Sequence, residues 1–246
     1  MKRFFNLFTL VSFLLLYACG GSDKLDIKGD PEAVKMAESM LKALGGKKAW
    51  TRLNSVYIRT IARVVSEGEP FIYEEWTSLT EPKFMNKKST NNNMVIDIVD
   101  GNDGWSIKGS VIEMISPHRI TAYLKWYDQY FIRVVKQLAM ENENMEVRKK
   151  SEKELEIFIN DKFVSGFELY DDHLPSRYYV LGAGGKMTMI YFKEYSEYKG
   201  YKFPLEIQSE SMLATYRTDY FDPSHLDAEK AFKITFDPNE LIKRMN

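Results

Sequence analysis

Few residues in this sequence are spaced for chemistry. The three histidines, His118, His173 and His225, lie far apart, and none stands at metal-ligand spacing from a second histidine or from the cysteine. Asp171-Asp172-His173 holds ligand-type residues, but they sit in a polar stretch before Pro175 and read as a loop. No Gly-x-Ser-x-Gly elbow presents a nucleophilic serine. Gly182-Ala183-Gly184-Gly185 falls between two strand patterns with no helix to receive a phosphate, so it reads as a turn. Glu74-Glu75 is an acidic pair, yet neighbouring residues of a strand point to opposite faces and cannot act together. Arg59 and Arg63 share one strand face, where they read as solvated or, if that face lines a cavity, as partners for a ligand's polar end. The expectation is a protein that is not an enzyme and carries no metal and no cofactor.

One reactive type remains, the single thiol of Cys19. Lys2 and Arg3 precede an apolar run from Phe4 to Tyr17, long enough for a signal-peptide core and shorter than the roughly 20 residues that cross a bilayer. The run ends Leu16-Tyr17-Ala18-Cys19, which resembles the signal of a bacterial lipoprotein, with Tyr17 in place of the usual small residue. The other reading is an ordinary secretory signal in which Cys19 is incidental. The first implies cleavage before Cys19 and a lipid on its sulfur, and two or more acyl chains hold a protein stably at about 0.8 kcal/mol per buried methylene. Residues 1–18 are thus expected to be a signal peptide and 19–30 a flexible tether, with 31–246 a single domain. Gly20 after the cysteine, where an aspartate would retain a lipoprotein in the inner membrane, points to the outer membrane facing the periplasm.

The first 18 residues hold two basic and no acidic residues, so the formal charge moves from −1 to −3 without them. There is no basic excess to hold nucleic acid. No cysteine other than Cys19 exists, so stability has to come from a core, which a chain this long can bury. Fifteen tyrosines, 15 phenylalanines and four tryptophans fall mainly in strand patterns, as a broad apolar sheet face requires.

Asp30-Pro31-Glu32 starts a helix whose stripe is Ala33, Ala37, Met40, Leu41 and Leu44, and Gly45-Gly46 stops it. Lys47 to Leu53 reads as a second short helix. From Ser55 the period changes to two. Val56, Ile58, Thr60, Ala62 and Val64 take one face of a long strand, and Phe71 to Leu79 returns as a hairpin. Strands follow over 83–90, 94–99, 105–108 and 111–115. Ser116-Pro117 then caps a helix with Ile120, Leu124, Tyr127, Phe131, Val134 and Leu138 at helical spacing, apolar on more than one side and expected to break near Asp128. Seven further strand patterns lie over 145–150, 155–160, 163–170, 177–181, 187–192, 203–209 and 214–221, and Asp237-Pro238 starts a terminal helix.

This order, with Leu44 to Val56, Asp100 to Trp105 and Tyr195 to Ile207, resembles the outer-membrane lipoprotein-sorting family, the LolA/LolB-like proteins, over most of residues 31–236. The resemblance implies a mainly β fold with helices: a strongly curved, incomplete antiparallel β-barrel whose open side is covered by helices. It also implies an apolar cavity that shields acyl chains of a lipid or a lipoprotein. The lining expected here is Ile58, Trp76, Leu124, Phe131 and Tyr191. The family's soluble carrier is not lipidated, and its anchored acceptor uses an exposed apolar loop tip, whereas Ser66 to Pro70 and Ser89 to Asn93 are polar here. Neither member's functional residues are carried over. The partners expected are a membrane held through the lipid anchor, and acyl chains or lipoproteins. The alternative is an envelope scaffold or sensor whose partner is another envelope protein. Cys19→Ser should leave the fold intact and release the chain from membranes; retention of the variant in the membrane fraction after a carbonate wash would refute the anchor.

Overall fold

Strands alternating with period two on a half-apolar chain must bury one face, and here they do so in one very large sheet. The computed structural model describes residues 24–91, 93–210, 213–227, 230 and 235–245. In chain order the elements begin β1 (Lys28–Gly29), α1 (Pro31–Ala43), α2 (Lys47–Arg52), β2 (Ser55–Val64), β3 (Phe71–Ser78), β4 (Lys83–Ser89), β5 (Met94–Asp100), β6 (Asp103–Lys108) and β7 (Val111–Met114). Two helices follow, α3 (Pro117–Asp128) and α4 (Phe131–Ala139). The second half comprises β8 (Met145–Lys149), β9 (Glu154–Ile159), β10 (Lys162–Leu169), β11 (Pro175–Leu181), β12 (Met187–Tyr198), β13 (Tyr201–Ser209), β14 (Ala214–Ser224) and α5 (Pro238–Met245).

Among the described residues, 14 strands form one sheet in the order β1-β8-β9-β10-β11-β12-β13-β14-β2-β3-β4-β5-β6-β7. Neighbours are antiparallel except β1 and β8. The ends do not meet, so the sheet is an open, incomplete barrel with helices, as the family resemblance implies. Each half is a meander, and the halves join where β14 pairs with β2, from Ala214↔Val64 to Ser224↔Ser55 with a bulge between Thr218 and Tyr220. One inner face runs through the register: Phe192 opposite Ile207, Ile207 opposite Tyr216, Tyr216 opposite Ala62, and Ile58 opposite Glu75.

Helices cover that inner face. The apolar stripe of α1 buries Ala33, Ala37, Met40 and Leu41, and α4 buries seven of its nine residues. The expected break between α3 and α4 falls at Gln129–Tyr130. Lys136 of α4 is buried and donates from Nζ to the Thr51 carbonyl at 3.1 Å, so its charge serves the α2–α4 contact. On the first half, α3 packs Ile120 and Tyr127 against Phe84 and Val99. The outer face of that half is also covered: Met85, Ile96, Ile98 and Ile107 pack against Phe236, with Leu241 and Ile242 of α5 beside them.

The flexible tether expected over 19–30 does not reach Asp30, because residues 25–29 are held to the domain. Leu25 is buried, with its N–H donating to Glu38 Oε1 at 2.9 Å. Lys28 and Gly29 pair with Glu146 and Val147. Asp30 stands at the α1 N-cap position, yet its side chain makes no cap bond; Pro31 at the first turn lacks an N–H to be satisfied. Residues 1–18, Cys19 and the rest of the tether to Asp23 lie outside the described residues.

Two stretches that carried the resemblance meet at one place. Trp50 is fully buried and donates from Nε1 to the Leu44 carbonyl at 3.1 Å. Its ring meets Tyr201 edge-on at 5.5 Å, and Tyr201 Oη donates to the Ala49 carbonyl at 2.8 Å. Gly45 has φ +119°, and a Cβ there would lie 2.3 Å from the Gly200 carbonyl oxygen. Gly68 also has positive φ, but open space around it. Gly45→Ala should therefore lower the urea midpoint well beyond Gly68→Ala, whose cost is the left-handed backbone alone, about 1–2 kcal/mol. Equal losses would show that the close approach at Gly200 carries no stability.

Candidate functional site

Where the inner face leaves α3 and α4, a cavity of about 650 Å³ opens. Its walls differ in chemistry. Ile190, Phe192, Phe203 and Ile207 of β12 and β13, with Ile58 of β2 and Phe131 of α4, make an apolar wall. Phe131 packs against the Phe192 ring at 4.8 Å and the Tyr178 ring at 5.8 Å, which holds the aromatic side chains in fixed positions.

The adjoining wall, from β3, β4, α3 and the α3–α4 break, carries the polar groups Tyr73, Glu75, Asn86, Arg119, Tyr123 and Tyr130 beside the apolar Phe71, Ala122 and Trp126. Glu75 is only 7% exposed. Thr77 Oγ1 donates to Glu75 Oε1 at 3.0 Å, and no lysine or arginine pairs with Glu75 among the described residues. Burial raises the Glu75 carboxyl above the usual carboxylate range, and the Tyr130 and Thr77 hydroxyls offset part of that rise. The Tyr130 hydroxyl, close enough to influence Glu75, still completes no well-formed hydrogen bond, and the Asn86 amide oxygen is likewise buried and unpartnered. Tyr73 and Tyr130 are themselves pushed up, by burial first and the Glu75 charge second.

The cations at the rim are engaged. Arg119 Nη2 donates to Asp97 Oδ2 at 3.3 Å and to the Tyr123 hydroxyl at 3.1 Å, and that hydroxyl donates to the same Asp97 oxygen at 2.7 Å. Lys88 pairs with Glu67 at 2.7 Å and lies 4.4 Å over the Phe71 ring.

Two of the five residues expected to line a cavity do so, Ile58 and Phe131. The other three are corrected by strand and helix direction. Trp76 alternates with Glu75 and therefore stands on the outer face, stacked on Tyr57 at 4.9 Å. Tyr191 lies outward between the inward Ile190 and Phe192 and donates to Glu210 Oε1 at 2.8 Å. Leu124 packs with Ile120 and Phe84, beneath α3 and away from the opening. Arg59 is also outward, 2.7 Å from Asp219. Glu74 and Glu75 do diverge: Glu74 accepts from Tyr57 Oη at 2.9 Å and pairs with Lys87 outside, while Glu75 points in. Glu75 was the missed site residue, and its signal was a carboxylate in register with Phe71, Tyr73 and Thr77. His225 Nδ1 lies 2.8 Å from the Arg52 carbonyl, and among the described residues no three His, Cys, Asp or Glu side chains converge on a metal position. The hairpin tip expected to be polar is flanked by an apolar pair, Val65 and Leu213, 74% and 65% exposed, with Val65 N–H donating to the Leu213 carbonyl at 3.2 Å.

No protein-family model matches the sequence, and no curated protein matches it. Solved structures do. A DUF1329 family protein from Desulfovibrio piger is 8% identical with a TM-score of 0.51, over 86% of this chain and 100% of that one. A domain described as an outer membrane lipoprotein-sorting protein, from Vibrio parahaemolyticus, is 13% identical with a TM-score of 0.44, over 84% of this chain and 99% of that one. An uncharacterized conserved protein from Thermus thermophilus is 9% identical with a TM-score of 0.35, over 82% and 94%. The likeness to the Desulfovibrio protein is one of fold.

Because the folded chain holds the Glu75 proton more tightly than the unfolded chain, Glu75 costs stability as pH rises from the ordinary carboxylate range through its raised folded value. Glu75→Gln should raise the thermal midpoint at about pH 8 and change it little at about pH 4. An equal shift at both would show that no buried carboxyl ionises there.

Proposed function

We propose that this protein binds the acyl chain of a lipid or of an acylated protein, without turnover, in the cavity of its open barrel, and does so at the bacterial envelope where Cys19 carries a lipid anchor. The observation that supports this best is the cavity itself. About 650 Å³ lies within the range of roughly 300–1,000 Å³ of small-molecule sites, and one whole wall is aliphatic and aromatic. A solid core would fill that space, since packed interiors leave few voids larger than water.

The surrounding structure suits such a ligand. The sheet is continuous behind the apolar wall, so the wall is rigid, whereas α3 meets α4 at a break where only Gln129 and Tyr130 separate them. Trp126, itself 37% exposed, lies 4.8 Å from the Tyr130 ring at that break, a natural place for an apolar chain to pass from solvent. The exposed Val65 and Leu213 offer an apolar contact for a membrane surface. No helix among the described residues is long and apolar enough to cross a membrane. The support for attachment at Cys19 is the sequence Leu16-Tyr17-Ala18-Cys19 at the end of the apolar run. The sequence resemblance to lipoprotein-sorting proteins agrees with this reading.

The test uses the neutral dye N-phenyl-1-naphthylamine, whose fluorescence rises in an apolar site. The protein should enhance it, single-chain amphiphiles should displace it, and Ile58→Trp, which fills the cavity, should weaken dye binding at least about tenfold, or about 1.4 kcal/mol. Trp76→Ala on the outer face should not. Absence of enhancement, together with lipid-free protein by mass spectrometry after mild detergent extraction, would refute the proposal.

A further inference from the structure

The cavity is not uniformly apolar, and its polar wall has a definite sense. Glu75 offers a carboxylate whose one well-formed bond is from Thr77. Asn86 sits directly opposite it on β4, with its amide oxygen buried and unpartnered, and the buried Tyr130 hydroxyl lies beside Glu75 without completing a well-formed bond. The ionised Glu75 carboxylate and the Asn86 amide oxygen accept hydrogen bonds, and the Tyr130 hydroxyl can accept as well as donate. The cations that could have drawn an anion into the same space are spent at the rim, Arg119 on Asp97 and Lys88 on Glu67. Buried acceptors left without donors are costly, so the arrangement favours a ligand that brings donors with it. It disfavours one that brings a second negative charge beside Glu75.

We infer that the ligand is an amphiphile with an uncharged or cationic, hydrogen-bond-donating head group, seated against Glu75, Asn86 and Tyr130 while its chain lies along Phe192, Phe203 and Ile207. Glycerol-type hydroxyls and a primary ammonium share that chemistry. Fatty carboxylates and phosphate monoesters do not. This inference rests on the acyl-binding reading and adds to it the identity of the polar end.

The experiment compares four ligands with one twelve-carbon chain: monolauroylglycerol, dodecylammonium, dodecanoate and dodecyl phosphate. Each displaces N-phenyl-1-naphthylamine from the full chain below its micelle concentration. The two donor heads should displace at concentrations at least about tenfold lower than the two anions. Glu75→Leu should erase that preference, read as the ratio of the four displacement concentrations on the variant itself, and Asn86→Leu should reduce it. Glu75→Gln should weaken dodecylammonium more than monolauroylglycerol, because it removes the charge and keeps the acceptor; a thermal melt of each variant verifies folding. Equal displacement by all four ligands would overturn the head-group inference and leave acyl binding standing. So would a preference that survives Glu75→Leu, since ordered water would then suffice for the three groups. Displacement by none would overturn both.

Discussion

The structure depends on the pairing of β2 with β14. Each half of the sheet is a meander that its own short turns could fold, but each would be left with an unpaired strand at the join. Joining them removes two edges at once and produces one continuous inner surface. It also places Ile58 beside Phe221 on one side and Glu75 on the other, so the apolar and polar walls of the cavity share β2 as their boundary. The strands that pair come from the beginning and the end of the domain. Their contact closes nearly the whole chain into a loop, an entropy cost that has to be met before the cavity exists.

Much of this was legible in the sequence because strand and helix periods differ sharply. Alternation from Ser55 and the turns that follow locate nearly every strand within two or three residues, and the stripe through Ile120 and Phe131 locates α3, α4 and the break between them. What was not legible is which neighbour each strand takes. β1 is two residues long and has no pattern of its own; it exists because β8 offers an edge. The terminal helix was visible at Asp237-Pro238, but not that it would cover the outer face rather than the inner one. Both faces of β3 to β6 are buried, so the hydrophobic pattern there could not say which side is the barrel interior. That ambiguity makes Trp76, a large apolar residue on the outer side, indistinguishable by pattern from a lining residue.

Site residues were harder for a related reason. A binding wall and a core are built from the same side chains, and only an unfilled volume distinguishes them. Ile58 and Phe131 were within reach of pattern reading, whereas Glu75 required knowing that its whole face turns inward. Once that is known, Glu75 stands out as a carboxylate that stability alone does not explain. It occupies a position where glutamine or leucine would be easier to bury, beside the unpartnered Asn86 oxygen and a Tyr130 hydroxyl that completes no well-formed bond.

The short strand β1 has a consequence for reach. With Leu25 buried and Lys28–Gly29 fastened to β8, only about five residues separate Cys19 from the domain, a length that could span no more than roughly 18 Å. A domain of this length has a radius of gyration of roughly 17 Å. With a lipid on Cys19, the leash is no longer than the body it holds. Such a protein would work at one membrane, within a single molecular radius of its headgroups. Any ligand exchanged with a distant membrane would have to be brought to it or taken away by something else.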